Sequence, residues 1–226
     1  YVIHAYPLIL LKSLLKFSLF TIVSGGDLEL HSTVLWAIVR RAVYWNSRIV
    51  FTVGERLRRQ ISRESGCRAL VIPTGADPEY YRPVAGAKSL REKYGFGVDD
   101  FVVLTLCQLI ERKCVDDVIK AVGLVRHSDT HRSVKMVVAG DGPEGSKLME
   151  LCTDLGLAGD VVFTGLVDKA TKRDLFNIAD VYVIASYQEG MPFSLMEAMS
   201  CACICVCSDV GDIPQLIEND VNGFLI

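Results

Sequence analysis

The chain has 226 residues, half of them hydrophobic, and a formal net charge of -3. This composition argues against a disordered chain, and the small negative net charge argues against electrostatic binding to nucleic acid. The length allows one or two domains. We expect two domains and a small-molecule partner.

The first long apolar stretch, residues 6–24, is about as long as a membrane span. Lys12 and Lys16 interrupt it one helical turn apart, which predicts a helix over 8–16 followed by a strand over 19–23. A core helix is therefore favoured over a span, and peripheral membrane contact stays open. Both ends look like strands, and neither a signal peptide nor an initiator Met is visible, so we expect a fragment.

The first third of the chain alternates apolar runs with helical patterns, the longest of which is "HSTVLWAIVRRAVYWNS". The segment "IPTGADPEYYRPVAGA" then breaks this alternation with proline, glycine and paired tyrosines, as a linker does. We expect a first domain at 1–76 and a second at 77–226. The strands predicted for the first domain lie near 1–5, 19–23, 48–53 and 68–72.

The second domain repeats a strand–helix pattern, which predicts a parallel, doubly wound sheet. Its predicted strands are "FVVLTLCQL", "VKMVVAG", "VVFTGL", "VYVIAS", "CICVCS" and the final "GFLI". Its predicted helices are "VDDVIKAVGLV", "PEGSKLMELCTDLG", "KATKRDLFNIA", "FSLMEAMS" and "IPQLIE".

Four of the eight cysteines alternate in "SCACICVCSD", a pattern that allows either a metal site or a buried strand. Alternate residues of a strand lie about 6–7 Å apart, whereas zinc with bonds of about 2.3 Å needs its sulfurs within about 4 Å. We therefore expect Cys203, Cys205 and Cys207 to pack as reduced core residues, with no metal ligands among them.

Two acidic residues suggest a site, because ligands of open α/β sheets bind in the loops after the strands. Glu189 lies in the loop after "VYVIA", and Glu197 lies about one turn into the next helix. A carboxylate accepts two hydrogen bonds from a sugar diol. Between the acids, Gly190, Met191, Pro192 and Phe193 bring helix-start amides close to any bound phosphate.

The chain from "VVAGDGPEG" to "NDVNGFLI" closely resembles the donor domain of group 1 retaining glycosyltransferases. Glu189 to Glu197 matches that family's E-x7-E motif, "LCQLIERKCVDD" its "GRLxxxKGxxD", "VSGGDLEL" its "HGxDL" loop and "VIPTGADPEYYRP" its interdomain "IPNGVDxxxFxP". The resemblance implies a GT-B fold, that is, two Rossmann-like doubly wound domains with a cleft between them, the first domain being incomplete here.

The resemblance also implies roles for individual residues. It implies that Glu189 contacts hydroxyls of the transferred sugar and that Glu197 holds the ribose of the nucleotide. It also implies that Lys113 neutralises the donor diphosphate. Further donor-binding positions are Gln108, Gly140, Gly142, Val167 and residues 190–193, and the positions that face the cleft from the first domain are Ser24, Gly25, Gly26 and Asp27.

Several positions depart from the family pattern. Gln108 stands where an arginine usually binds phosphate, and Cys107 and Cys114 replace glycines. Ala202 also replaces a glycine, and Ser24 stands where many members have histidine. Ile204 replaces a proline and Gln215 a glutamate in the same comparison. These changes concern diphosphate binding and turnover more than the fold.

Two other functions compete with this reading. "GDGPEG" at 140–145 matches the dinucleotide fingerprint, with Asp168 about where its ribose acid lies, which would indicate an NAD enzyme. The fingerprint, however, follows the second strand of its domain, and Pro143 removes one amide from the turn. Gln108 and Ser24 support the other competitor, a non-catalytic nucleotide-sugar binding protein.

We expect retaining transfer of a sugar from a nucleotide diphosphate sugar to an alcohol acceptor, which would be a carbohydrate or a lipid-linked molecule. Lys113 and the helix amides after Gly190 would stabilise the diphosphate leaving group, so neither a metal nor another cofactor is expected. The expected location is the cytoplasm, and association with the inner face of a membrane stays open as an alternative.

Overall fold

The computed structural model describes residues 6–23, 34–126 and 133–226. The chain divides into two compact units, Tyr1–Thr74 with Glu189–Met191, and Gly75–Gln188 with Pro192–Ile226. The strand predicted at 1–5 and the loop residues Ser24, Gly25, Gly26 and Asp27 lie outside the described residues.

The first unit contains a three-stranded parallel sheet in the order β1–β2–β3. Its strands are β1 (Phe20–Val23), β2 (Ile49–Thr52) and β3 (Ala69–Val71), and its described helices are α1 (Tyr6–Leu15), α2 (Val34–Asn46) and α3 (Glu55–Ser65). The helix predicted over 8–16 is α1, which is too short to span a bilayer. Among the described residues, no helix combines the length and apolarity needed to cross a membrane.

The second unit contains a six-stranded parallel sheet in the order β6–β5–β4–β7–β8–β9. Its strands are β4 (Phe101–Leu106), β5 (Val134–Ala139), β6 (Val161–Gly165), β7 (Val181–Ile184), β8 (Ile204–Cys207) and β9 (Gly223–Leu225). Its α-helices are α4 (Ala87–Lys93), α5 (Val115–Arg126), α6 (Gly145–Asp154), α7 (Lys169–Ile178) and α8 (Phe193–Ser200). The predicted doubly wound sheet is confirmed.

The strand order determines where a ligand can bind. The chain first adds strands on one side of β4 and then returns to add β7, β8 and β9 on its other side. The order therefore reverses between β4 and β7, and the loops after these two strands diverge to opposite faces of the sheet. A crevice forms at such a switch point, at the carboxyl ends of the strands.

Both faces of this sheet are buried, which explains the high apolar content. Val137 faces a core formed with α7 and α8, whereas its neighbour Val138 faces a second core formed with α5 and α6. Adjacent residues of a strand point to opposite faces, so a strand covered on both sides reads as a continuous apolar run.

The cysteine strand belongs to the first of these cores. Cys203, Cys205 and Cys207 are buried among apolar side chains, and none of these three is in a disulfide. Burial raises the pKa of Cys203 to about 12, so its thiol is neutral at physiological pH. The expectation that these residues pack in the core is confirmed.

Two elements differ from the prediction. Helix α4 occupies 87–93, where no helix is predicted, and the helix expected at "IPQLIE" is only a 3₁₀ turn, Ile213–Gln215. Asn side chains compete with the helix there, because Asn222 Nδ2 donates to the Leu216 carbonyl at 2.9 Å and its Oδ1 accepts from the Glu218 amide at 2.8 Å.

Candidate functional site

A cleft of about 690 Å³ opens at the carboxyl ends of β4, β5 and β6, entirely within the second unit. It brings together four residues that the family resemblance predicts to bind the donor, namely Gln108, Gly140, Gly142 and Val167. Lys169 and Lys172 of α7 complete one wall. The cleft thus lies at the carboxyl edge of the sheet, where ligands of such folds bind, on the β5 side of the switch point.

Gly140 and Gly142 are required because the loop after β4 passes directly over them. A Cβ on Gly140 would lie 1.8 Å from the carbonyl oxygen of Cys107, and a Cβ on Gly142 would lie 2.3 Å from that of Leu109. Gly140 also has a φ of +133°. These glycines allow two backbones to touch at the floor of the cleft.

This contact accounts for the dinucleotide-like pattern. The amides of Gly140 and Glu144 donate to the carbonyls of Gly165 and Leu109, and the Gly142 amide donates to Asp141 Oδ1 at 2.7 Å. Those three amides are therefore already used within the protein. Asp168 caps α7 by accepting from the Thr171 amide at 2.8 Å, which lowers its pKa. The geometry favours a structural turn over a pyrophosphate loop.

Lys113 ends a 3₁₀ turn, Glu111–Lys113, in the loop after β4, and its side chain is half-buried. The next residue, Cys114, is buried and has a φ of +48°. The carbonyl of Arg112 accepts a hydrogen bond of 3.0 Å from the amide of Tyr187. That bond attaches the loop after β7 to the loop that carries Lys113.

Gln108 lies nearer the cleft than Lys113, and its side chain is exposed there. A glutamine amide can offer hydrogen bonds to an anion but carries no charge. The cationic side chains that line this cleft are Lys169 and Lys172, both from the first turns of α7.

Glu197 is the fifth residue of α8, as the sequence predicts. The Tyr182 hydroxyl fixes this helix, because it lies 2.8 Å from Ser194 Oγ and 3.2 Å from the Leu106 carbonyl. The helix begins after Pro192, and no side chain caps its amino end. Its first-turn amides are therefore not satisfied by an N-cap side chain.

Glu197 is paired with Lys172. The Lys172 Nζ lies 2.7 Å from both carboxylate oxygens but hydrogen-bonds only to Oε1. Oε2 is buried, and the Lys172 ammonium is its charged partner. Burial lowers the pKa of Lys172, but hydrogen bonds to Glu197 and Tyr81 outweigh this and raise it. Lys172 is therefore protonated at neutral pH.

Two tyrosines of the linker complete this cluster. The Lys172 Nζ lies 5.3 Å from the centre of the Tyr81 ring, and the Lys169 Nζ lies 4.1 Å from that of Tyr80. Burial raises the pKa of the Tyr81 hydroxyl, which also interacts with Glu197 and Lys172. The sequence gives no signal for this cluster, because its members come from three separate elements.

The other predicted residues lie in the loop before α8. Glu189, Gly190 and Met191 are half-buried and group with the first unit. Pro192 is half-buried and Phe193 is exposed, and both belong to the second unit.

Comparison with known proteins identifies the family. Residues 87–226 match the family described as glycosyl transferases group 1. The chain belongs to this family. A glycosyltransferase of Methanocaldococcus jannaschii, itself named as uncharacterized, is 33% identical over 210 residues, which is 89% of this chain and 52% of that protein. N-acetyl-alpha-D-glucosaminyl L-malate synthase of Bacillus anthracis is 28% identical over 136 residues, covering 60% of this chain and 34% of the synthase.

The fold agrees with that of solved GT-B glycosyltransferases. HepE of Anabaena, crystallised with UDP, superposes with a TM-score of 0.87 at 22% identity, over 100% of this chain and 63% of HepE. The chain therefore spans about half the length of the Methanocaldococcus protein and about a third of the length of the Bacillus synthase.

Proposed function

We propose that this glycosyltransferase chain binds a nucleotide diphosphate sugar and that the full-length protein transfers the sugar to a hydroxyl group with retention of configuration. The observation that carries the proposal is the cleft at the carboxyl ends of β4, β5 and β6, where Gln108, Gly140, Gly142 and Val167 converge. A relative crystallised with UDP, HepE, shares this fold.

In this proposal Glu197 accepts hydrogen bonds from the ribose hydroxyls. An ionised carboxylate has about four lone-pair sites and no donor, which suits a vicinal diol. Glu197 is paired with Lys172, which lines the cleft from α7. Glu189 has the other role that the E-x7-E motif implies, contact with the hydroxyls of the transferred sugar.

The chemistry requires stabilisation of the diphosphate as it leaves. We propose that Lys113 and the uncapped amino end of α8 supply this stabilisation. Preorganised donors that face a leaving group remove the need for a metal ion. The proposed reaction therefore uses no metal and no other cofactor.

The proposed acceptor is an alcohol on a carbohydrate or on a lipid-linked molecule. Apolar residues on α1 are exposed, including Leu8, Leu11 and Leu15. They support a proposal of peripheral contact with a membrane, where a lipid-linked acceptor would be met. We propose a cytoplasmic protein that works at the inner face of such a membrane.

Gln108 favours one alternative, a protein that binds nucleotide sugars without turning them over. A neutral amide at this exposed cleft position holds a diphosphate less strongly than a guanidinium, which pairs with phosphate through two charged hydrogen bonds. Turnover separates this alternative from the enzyme, because both bind the donor.

The test uses the full-length protein with a panel of UDP-, GDP- and ADP-sugars in chelator, first for binding and then for transfer to sugar and lipid-linked acceptors. We expect one donor class to bind, product whose anomeric signal by NMR matches the donor, and no loss of rate with chelator. Inverted product or a rate that depends on added metal would contradict the mechanism. Binding without turnover would favour the alternative.

The two acids give a sharper test of their separate roles. Glu197→Ala should weaken nucleotide binding by about 1.5–3 kcal/mol, the range for hydrogen bonds to a charged group. Glu189→Ala should lower turnover or sugar discrimination while nucleotide affinity changes little. Equal affinity of wild type and Glu197→Ala for the free nucleotide diphosphate would contradict the ribose assignment.

A further inference from the structure

Lys172 stands between the cleft and the carboxylate that the proposed function assigns to ribose. Lys172 lines the cleft, and its ammonium lies 2.7 Å from both oxygens of Glu197. The Glu197 side chain is only 12% exposed and is not among the residues that line the cleft. A ribose in the cleft therefore meets the ammonium of Lys172 before it meets Glu197.

We propose that the donor displaces Lys172 from Glu197 and that the freed ammonium then binds the donor's diphosphate. This inference rests on the proposed function and adds Lys172 to it as a donor-binding residue. In the first half of the exchange, ribose hydroxyls replace the ammonium as donors to the carboxylate. In the second half, the ammonium gains the anionic part of the same ligand as its partner.

The exchange follows from the cost of a partly buried charge without a partner. Lys172 is 24% exposed and is shielded on one side by the Tyr81 ring. An ammonium in this position loses stability if Glu197 is taken from it and nothing replaces the carboxylate. The diphosphate is the anionic group that the donor itself brings into the cleft.

The composition of the cleft supports the second half of the exchange. Gln108 offers an anion no charge, whereas Lys172 lines the same cleft and carries one. A lysine side chain is flexible and presents three donors, so it can change partners without movement of α7. Lys172 thus supplies the positive charge that Gln108 lacks.

The experiment compares a nucleoside with its diphosphate, because the two halves of the exchange affect these ligands in opposite directions. Binding of uridine and UDP, or of the base that the wild type prefers, is measured by calorimetry at pH 8 for full-length wild type and Lys172→Ala. The variant should bind the uncharged nucleoside about fivefold more tightly, because the ion pair no longer competes. It should bind the diphosphate about tenfold more weakly.

Matched variants control for loss of structure. Lys93→Ala removes a lysine of α4 that pairs at 3.4 Å with Asp174, a residue of the helix that carries Lys172. Lys93 is not among the residues that line the cleft, so this variant should change neither affinity. Lys172→Met replaces the alanine variant if thermal melting shows that the latter does not fold. In Glu197→Gln, removal of Lys172 should give no gain in nucleoside affinity.

The outcomes distinguish the inference from the function beneath it. Unchanged or weaker nucleoside binding by Lys172→Ala would overturn the first half of the exchange and make Lys172 a residue that positions Glu197. Unchanged or tighter diphosphate binding would overturn the second half. A wild type that binds no nucleotide diphosphate would instead overturn the proposed function.

Discussion

The turn after β5 and the loop after β4 both carry left-handed backbone near the cleft, but they tolerate side chains differently. Gly140 has a φ of +133° and no room for a Cβ, whereas Cys114 has a φ of +48° and keeps its side chain. Ala202, just before β8, is a second non-glycine residue, with a φ of +59°.

The difference separates two reasons for glycine. Backbone strain at positive φ costs about 1–2 kcal/mol for an L-residue, which a domain can absorb. Overlap with a neighbouring carbonyl cannot be absorbed without moving a strand. The motif that this chain resembles has glycines at 114 and 202, where the chain carries side chains at positive φ, whereas Gly140 stands at the clashing position.

The largest expected effect in this comparison is that of Gly140→Ala. The added methyl would overlap the Cys107 carbonyl, so we expect a loss of about 3 kcal/mol or more in the free energy of unfolding. Chemical denaturation measures the loss, with Gly159→Ala as the control, because nothing lies within 4 Å of a Cβ there and its φ is not positive. Equal stability of the two variants would contradict the close approach of the Cys107 carbonyl to Gly140.

The next effect concerns the rate of sugar transfer and the residue Lys113, which lies in the loop after β4 beside Cys114. Lys113→Ala should lower the rate of transfer about a hundredfold, because one charged contact to the leaving diphosphate is lost. Stability should hardly change, since the Lys113 side chain is only half-buried. Turnover and thermal melting of the full-length variant measure the two properties. Transfer at the wild-type rate would remove Lys113 from the diphosphate site.

Relief of strain should have a smaller effect. Ala202→Gly should raise the free energy of unfolding by about 0.5–1 kcal/mol. Glycine adopts the left-handed conformation without strain, and we expect this gain to exceed the stability lost through the greater conformational entropy of glycine in the unfolded chain. Denaturation with Ala198→Gly, a buried helical position that glycine should destabilise, gives the opposite sign as a control. Destabilisation by Ala202→Gly would show that the strain argument fails.

An effect of similar size is expected at the rim of the cleft. Gln108→Arg should tighten binding of the nucleotide diphosphate by about 1 kcal/mol and make it more sensitive to salt, since the new charge is exposed. Titrations at low and high salt measure both changes. A salt dependence equal to that of wild type would place Gln108 away from the phosphates.

The sequence by itself determined most of the local structure. Strand β8 and helix α8 are recognised from runs of apolar residues and from helical periodicity, and α8 occupies the predicted residues 193–200. The family resemblance also predicted Gln108, Gly140, Gly142 and Val167, which line the cleft, because motif residues at fixed spacing are visible in the sequence. Helix α4 and the short turn at 213–215 were missed, since weak helical signals are decided by competing side-chain hydrogen bonds and packing.

Only the tertiary structure decided what the residues of the site touch. Lys172 and Glu197 are 25 positions apart and meet only because α7 and α8 pack on the same face of the sheet. The need for Gly140 likewise comes from Cys107, on the neighbouring strand's loop. Periodicity records which face of an element is buried, but it does not record which partner lies opposite, because strand order and helix packing are set by the whole fold.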